Sequence, residues 1–376
     1  MSEFYESQIQ VACDFLGWSC SELAARTGVS RTTISSVKYG SKVFTYELAQ
    51  LLASACNLPI SFFMLKDKIL TEQQLTFRAP QRFSAIRKRQ ISVEYSLLAA
   101  TTERLSRMSN TFPNSDWISK LAPHTNPTHA EIESIAQKTR VALNLSERGT
   151  IPNVLRAFER GGICVAPLSN VHDDFNRVDG VCNPEFNAVP TIAYSKQNSS
   201  GDRQRFTIAH EAGHLILQKY RRNVPLRIQE DEANYFAAAF LIPESDSQEM
   251  FSSNMNLMDF VHLKTQWGVS IASMITRAAR LGIIDSNRQR SLMMQLSARN
   301  WCTCEPVIVD FEQPILLRQL VGNILGNIID STHAQASPLN VEGFLGLPFD
   351  TISYWCDGLT RKKDSFNIDE LQQNDQ

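Results

Sequence analysis

His210 and His214 stand four residues apart in the run Arg205-Phe206-Thr207-Ile208-Ala209-His210-Glu211-Ala212-Gly213-His214-Leu215, with a glutamate between them in the order HExxH. On a helix this spacing projects both imidazoles from one face about 6 Å apart, close enough to grip a single metal ion. Glu211 then lies about 100° round from His210, beside the ion, where it can take a proton from a water that the metal acidifies. A buried helix whose histidines merely satisfy hydrogen bonds would carry the same residues, so the surrounding elements must decide between the two.

A catalytic zinc site takes a third protein ligand and leaves one position for water. Candidates lie downstream in Gln229 to Pro243, which reads as a helix stopped by its proline. Ala233, Phe236, Ala237, Phe240 and Leu241 form its apolar stripe at core-facing spacing. Counting about 100° per residue, Glu230 falls within roughly 50° of the centre of that stripe, and Asp231 and Glu232 fall more than about 100° away. Glu230 is therefore the expected inward carboxylate, and Asn234, one turn later on the same side, is expected to support a ligand from behind.

Other elements must position these groups. A helix over Pro152 to Arg160 stops at Gly161-Gly162, and β-rich runs follow at Ile163 to Pro167, Arg177 to Cys182 and Val189 to Tyr194. They predict a small sheet beside the HExxH helix, with Val189 to Tyr194 as the edge along which a peptide substrate would add as a strand. Thr128 to Glu131 has capping-box spacing and starts a helix to about Leu143, which puts His129 on its surface.

Residues 8 to 66 read as a compact helical unit. Ser21 to Thr27 leads through Gly28-Val29-Ser30 into Arg31 to Tyr39, two short helices around a glycine-containing turn with Ser30 capping the second. Val29, Ile34 and Val37 would hold the second helix inward, leaving Arg31, Thr32, Thr33 and Ser36 to meet base edges or phosphates, with Lys38 and Lys42 reaching the backbone. From Thr76 to Arg107 the chain is basic, with Arg78, Arg82, Arg87, Lys88 and Arg89 read as a solvated helical face that could also extend a DNA footprint.

The chain has 376 residues, 37 Lys plus Arg against 39 Asp plus Glu, and 43% hydrophobic residues. This balance fits a globular protein of two or three domains and excludes a protein that coats polyanions, so any DNA contact must be local. No run of about 18 apolar residues occurs, and the first ten residues lack a signal-peptide pattern, which leads us to expect a cytoplasmic protein with no membrane partner. The eight cysteines sit in apolar contexts suited to reduced thiols, and packing is the expected role of the close pair Cys302 and Cys304.

Two resemblances organise these observations. The Leu-Ala-x-x-Thr-Gly-Val-Ser-x-x-x-Ile-Ser core of residues 8 to 66 resembles the XRE (Cro/repressor-like) DNA-binding domain. Its first helix lacks the family's usual basic residues and Cys20 stands where a phosphate-contacting glutamine is common, which points to weak binding or to binding as a homodimer. Arg-Gln-Arg-Phe-Thr-Ile-Ala-His-Glu-Ala-Gly-His, with Glu-x-x-Ala-Asn-x-Phe-Ala-Ala and Leu-Ile-Pro, resembles the ImmA/IrrE family of zinc metallopeptidases. That likeness takes in Phe77-Arg78, Val178-Asp179, Leu263 to Ser270 and Glu305-Pro306; Ala212 and Gln218 depart from the usual leucine and histidine.

The second resemblance implies a Zn2+ cofactor, His210, His214 and Glu230 as ligands, Glu211 as base, and a repressor or antitoxin protein as substrate whose cleavage relieves repression. The expected fold is mainly α with an α+β core. A five-helix-type helix-turn-helix domain covers 1–70 and a helical linker region 71–127. A zincin-like metallopeptidase domain spans 128–300, a helical C-terminal region 301–360, and a disordered tail 361–376. The alternative is a DNA-binding transcriptional regulator, or an antitoxin-like protein, whose metal-binding body serves as sensor or dimerisation unit without proteolysis.

Overall fold

A computed structural model describes residues 4–77, 84–168, 179–186, 188–196, 200–221 and 223–362. The N-terminal unit is built from α1 (Ser7–Leu16), α2 (Cys20–Thr27), α3 (Arg31–Lys38) and α4 (Tyr46–Cys56), followed by a 3-10 turn at Ile60–Met64. Helices α2, α3 and α4 start where hydroxyl side chains take up the first amides. Ser19 accepts from Glu22 N at 3.1 Å, Ser30 from Thr33 N at 3.1 Å, and Thr45 from Leu48 N at 3.4 Å; such caps contribute about 1 kcal/mol each. Ile34 and Val37 are fully buried and seat α3 on the unit, as their spacing requires.

The central sheet joins β1 (Thr76–Phe77), β2 (Cys164–Pro167), β3 (Gly180–Cys182) and β4 (Thr191–Tyr194) in the order β1-β3-β4-β2. β1 and β3 are antiparallel with Thr76 opposite Cys182, β3 and β4 are antiparallel, and β2 and β4 are parallel. Val189 to Tyr194 therefore supplies an inner strand and not the expected edge; among the described residues the edges are β1 and β2. Arg177, Val178, Arg78 and Arg82 fall outside the described residues.

Both faces of the sheet are buried, and the strands alternate between two cores. Cys164, Ala166, Val181 and Ala193 share one core with α1 to α4, with α5 (Ala85–Met108) and with the C-terminal helices. Val165, Cys182, Ile192 and Tyr194 face the other. There they meet α6 (Asp116–Leu121), α7 (His129–Ala142), α8 (Val154–Arg160), α9 (Gly201–Leu217) and α10 (Leu226–Leu241). This period-2 alternation is what a sheet covered on both sides produces. α11 (Glu244–Met250), α12 (Leu257–Trp267), α13 (Ile271–Arg280) and α14 (Ser286–Ala298) complete the second half.

The stretch 71–127 is more than a helical link. It contributes strand β1, and α5 buries Tyr95, Leu97, Leu98 and Leu105 at the centre of the first core. The C-terminal stretch adds α15 (Leu316–Leu325), β5 (Gly326–Ile328), β6 (Ala334–Ala336), α16 (Pro338–Leu345), α17 (Phe349–Cys356) and β7 (Leu359–Arg361). Beside its helices, as expected for this region, β5, β6 and β7 form a second small sheet. This region packs on the N-terminal unit and on α5: Ser61 Oγ donates to Glu342 O at 2.6 Å, and Trp355 Nε1 to Glu94 Oε1 of α5 at 3.0 Å. The tail is outside the described residues from 363 on. All eight cysteines are unpaired, and Cys302 and Cys304 are exposed, so packing does not account for that pair. Among the described residues no helix is long and apolar enough to cross a membrane.

The HExxH helix is anchored at its start by a buried ion pair. Arg205 reaches Glu312 at 2.7 Å and donates to Ile151 O at 2.6 Å, while the Glu312 carboxylate accepts from Val154 N and Leu155 N at the start of α8. Removing one partner of such a pair strands the other charge in the interior. Arg205→Ala is accordingly expected to cost about 3–5 kcal/mol of stability, measured as a lowered urea midpoint.

Candidate metal centre and DNA-facing helix

α9 and α10 pack side by side and bring His210, His214 and Glu230 together; among the described residues no other cluster of metal-ligating side chains is found. The two Nε2 atoms are 3.1 Å apart, and the Glu230 carboxylate oxygens lie 3.7 Å from that of His210 and 3.5 Å from that of His214. Ligand atoms about 2.0–2.1 Å from a zinc ion at tetrahedral angles are about 3.3–3.4 Å apart. These separations, the two to Glu230 ending on different carboxylate oxygens, bracket that value, so the donor set is compatible with zinc in chemistry and spacing.

Each histidine is held through its other nitrogen. His210 Nδ1 meets Asn234 Oδ1 at 3.1 Å and His214 Nδ1 meets Gln218 Oε1 at 3.0 Å. With both oxygens accepting, each imidazole carries its proton on Nδ1 and presents the Nε2 lone pair to the triangle. Gln218 is itself fixed, because its Nε2 donates to Glu232 at 3.0 Å and Glu232 makes a two-pronged pair with Arg221 at 2.8 and 2.9 Å. Arg221 also donates to Asn126 Oδ1 at 2.6 Å. Burial disfavours a charged His214, but the Glu230 and Glu211 carboxylates and Gln218 together outweigh it and the net shift is upward.

Angular counting misses part of this arrangement. Glu232 is 6% exposed, more deeply buried than Glu230, because α10 is covered on a second side by the end of α9. Asp231 is exposed and pairs with Arg280, as its angle implies. Gln218 was within reach of sequence reasoning, since His210, His214 and Gln218 repeat every four residues on one helix face. Arg221 and Asn126 carry no local signal.

Glu211 is 4% exposed, and its Oε2 has no hydrogen-bond partner among the described residues. Burial pushes its carboxyl up to about 7, with His214 pulling the other way. Strand β3 lies directly against it. A Cβ at Gly180 would sit 2.7 Å from Glu211 Cγ and 2.8 Å from Oε1, so only glycine allows this approach. The carboxylate is thereby held near the metal triangle without belonging to it.

On α3, Arg31 and Thr32 are exposed, whereas Thr33, Ser36 and Lys38 are half-buried. The Ser30 hydroxyl donates to Thr33 Oγ1 at 2.9 Å, and Lys38 donates to Gln10 of α1. Of the six predicted DNA contacts, Arg31, Thr32 and Lys42, the last beyond the end of α3, are therefore the most outward.

Comparison with known proteins agrees with both halves. Residues 16–63 match the model of a helix-turn-helix family, and residues 163–278 match that of the IrrE N-terminal-like domain, a peptidase family. No curated protein matches the sequence. Residues 16–63 thus form a helix-turn-helix domain and residues 163–278 an ImmA/IrrE-type domain.

Proposed function

We propose that the chain is a zinc-dependent endopeptidase carried by a DNA-binding regulator, and that it cleaves a repressor or antitoxin protein to relieve repression. The observation that carries this reading is the tetrahedral-sized triangle of His210, His214 and Glu230 with the buried Glu211 carboxylate beside it. Zinc bound there would polarise the scissile carbonyl and lower the pKa of the attacking water. Glu211 accepts the proton of that water and passes it to the leaving amine. Asn234 and Gln218 hold the two imidazoles in the tautomer that binds metal. The helix-turn-helix, with Arg31 and Thr32 outward, directs the peptidase to DNA where such a repressor sits.

A test follows directly. The protein loaded with zinc and incubated with a repressor encoded beside it should produce one discrete pair of fragments by mass spectrometry. Intact repressor at full zinc occupancy, whether or not DNA is present, would contradict the reading. The alternative, a regulator whose metal body does not cut, is favoured by one feature: β1 already pairs with the outer edge of β3, the strand nearest Glu211.

The hydrogen-bond relay behind His214 gives a further expectation. Gln218→Leu removes the acceptor for Nδ1 and leaves Glu232 one donor short, and is expected to weaken zinc binding about 10–100-fold in competition with a chromophoric chelator.

A further inference from the structure

The helix-turn-helix does not end the basic surface around α3. A cleft of about 420 Å3 lies where α2 and α3 meet the first turn of α5. Arg31, Ser35 and Lys38 line it from α3, and Arg89 lines it from α5; three cations face a single carboxylate, Asp14. Gln10 accepts from the Lys38 ammonium and fixes it at the cleft wall.

We propose that this cleft binds the phosphate backbone of duplex DNA, and that Arg89, outside the helix-turn-helix match, completes it. The inference rests on the DNA-binding reading of α3 and deepens it. A recognition helix in the major groove brings its flanks against the phosphates, and phosphate contacts set the register of the protein on the duplex. A duplex carries a negative charge about every 1.7 Å along its axis, so a cationic recess beside α3 meets phosphates whenever α3 is seated.

Arg89 is held in register to α1, which packs against α3. Its neighbour Gln90 is buried, donates to Phe15 O at 3.5 Å and accepts from Arg87 at 3.0 Å. Gly17, at φ +71, ends α1 so close to Gln90 that a Cβ there would lie 2.6 Å from its Nε2. Arg89 Nε donates to Ala85 O at 3.2 Å, which steadies the guanidinium at the start of the helix. The head and α5 therefore present their cations as one preorganised surface, and little ordering is needed on binding.

The test is fluorescence anisotropy of the full chain with a labelled mixed-sequence duplex of about 20 base pairs, from about 50 to about 200 mM salt. Arg89→Ala should weaken binding several-fold and reduce the slope of log affinity against log salt by about one. Arg89→Lys, which keeps a point charge, should keep the slope. Inorganic phosphate at matched ionic strength should leave duplex binding unchanged. Unaltered slope and affinity in Arg89→Ala, alongside weakened binding in Arg31→Ala, would overturn the clamp and leave the DNA reading standing. Specific displacement by inorganic phosphate would assign the cleft to the free anion and overturn it too. Absence of duplex binding by the wild type at low salt would sink both. Thermal unfolding of each variant separates a lost contact from a lost fold.

Discussion

Glu211→Gln is expected to slow peptide cleavage by about 10²–10⁴-fold while zinc binding and folding persist. The amide has the shape of the carboxylate but cannot take a proton from water, which is the role assigned to this side chain. The fold should tolerate the change, because the Glu211 Oε2 has no hydrogen-bond partner among the described residues. Neutralising a buried carboxylate whose burial already pushes its pKa up to about 7 removes little stabilisation. Single-turnover kinetics checks the first half, and elemental analysis for zinc with a thermal melt checks the second. A variant that cleaves at the wild-type rate would remove Glu211 from the mechanism.

The second large effect is on the metal. Glu230→Ala takes one corner from the triangle and is expected to weaken zinc binding by more than the roughly 10–100-fold that follows loss of a supporting residue. Its consequence can be read without a substrate. Zinc at a hundred times its dissociation constant stabilises a folded protein that binds it by about 2.7 kcal/mol. The wild type should show that rise in thermal unfolding on adding zinc, and Glu230→Ala should show none at the same concentration. Glu232→Ala serves as the contrast: it removes a support of Gln218 and not a ligand, so its zinc-dependent rise should shrink but persist. An equal zinc-dependent rise in Glu230→Ala and the wild type would place the third ligand elsewhere.

What could be read from the chain alone follows from locality. His210, Glu211, His214 and Glu230 stand out because helical periodicity places them by counting, and Ser30 and Thr128 announce the helices they cap in the same way. The inner position of Val189 to Tyr194 could not be counted, because its neighbours are β2, two dozen residues earlier, and β3, whose other edge is taken by β1 from a hundred residues upstream. An alternating strand specifies its two faces but not its neighbours. The same limit hid the part played by α5. Its basic first turn suggested a solvated face, yet the turns that follow are buried between the N-terminal unit and the sheet. There the Tyr95 hydroxyl donates to Thr191 O at 2.9 Å and accepts from Asn183 N at 2.9 Å. The helix-turn-helix and the sheet beside Glu211 are consequently joined through one helix.

The most direct test of a water-activating zinc centre is cleavage of a neighbouring repressor by the wild type and by Glu211→Gln at equal, measured zinc occupancy. The account predicts a discrete cut with the zinc-loaded wild type, its loss on chelation and return with added zinc, and at least about a hundredfold slower cutting with the variant. Equal cutting by both proteins, or an intact repressor with a fully zinc-loaded wild type, would contradict it.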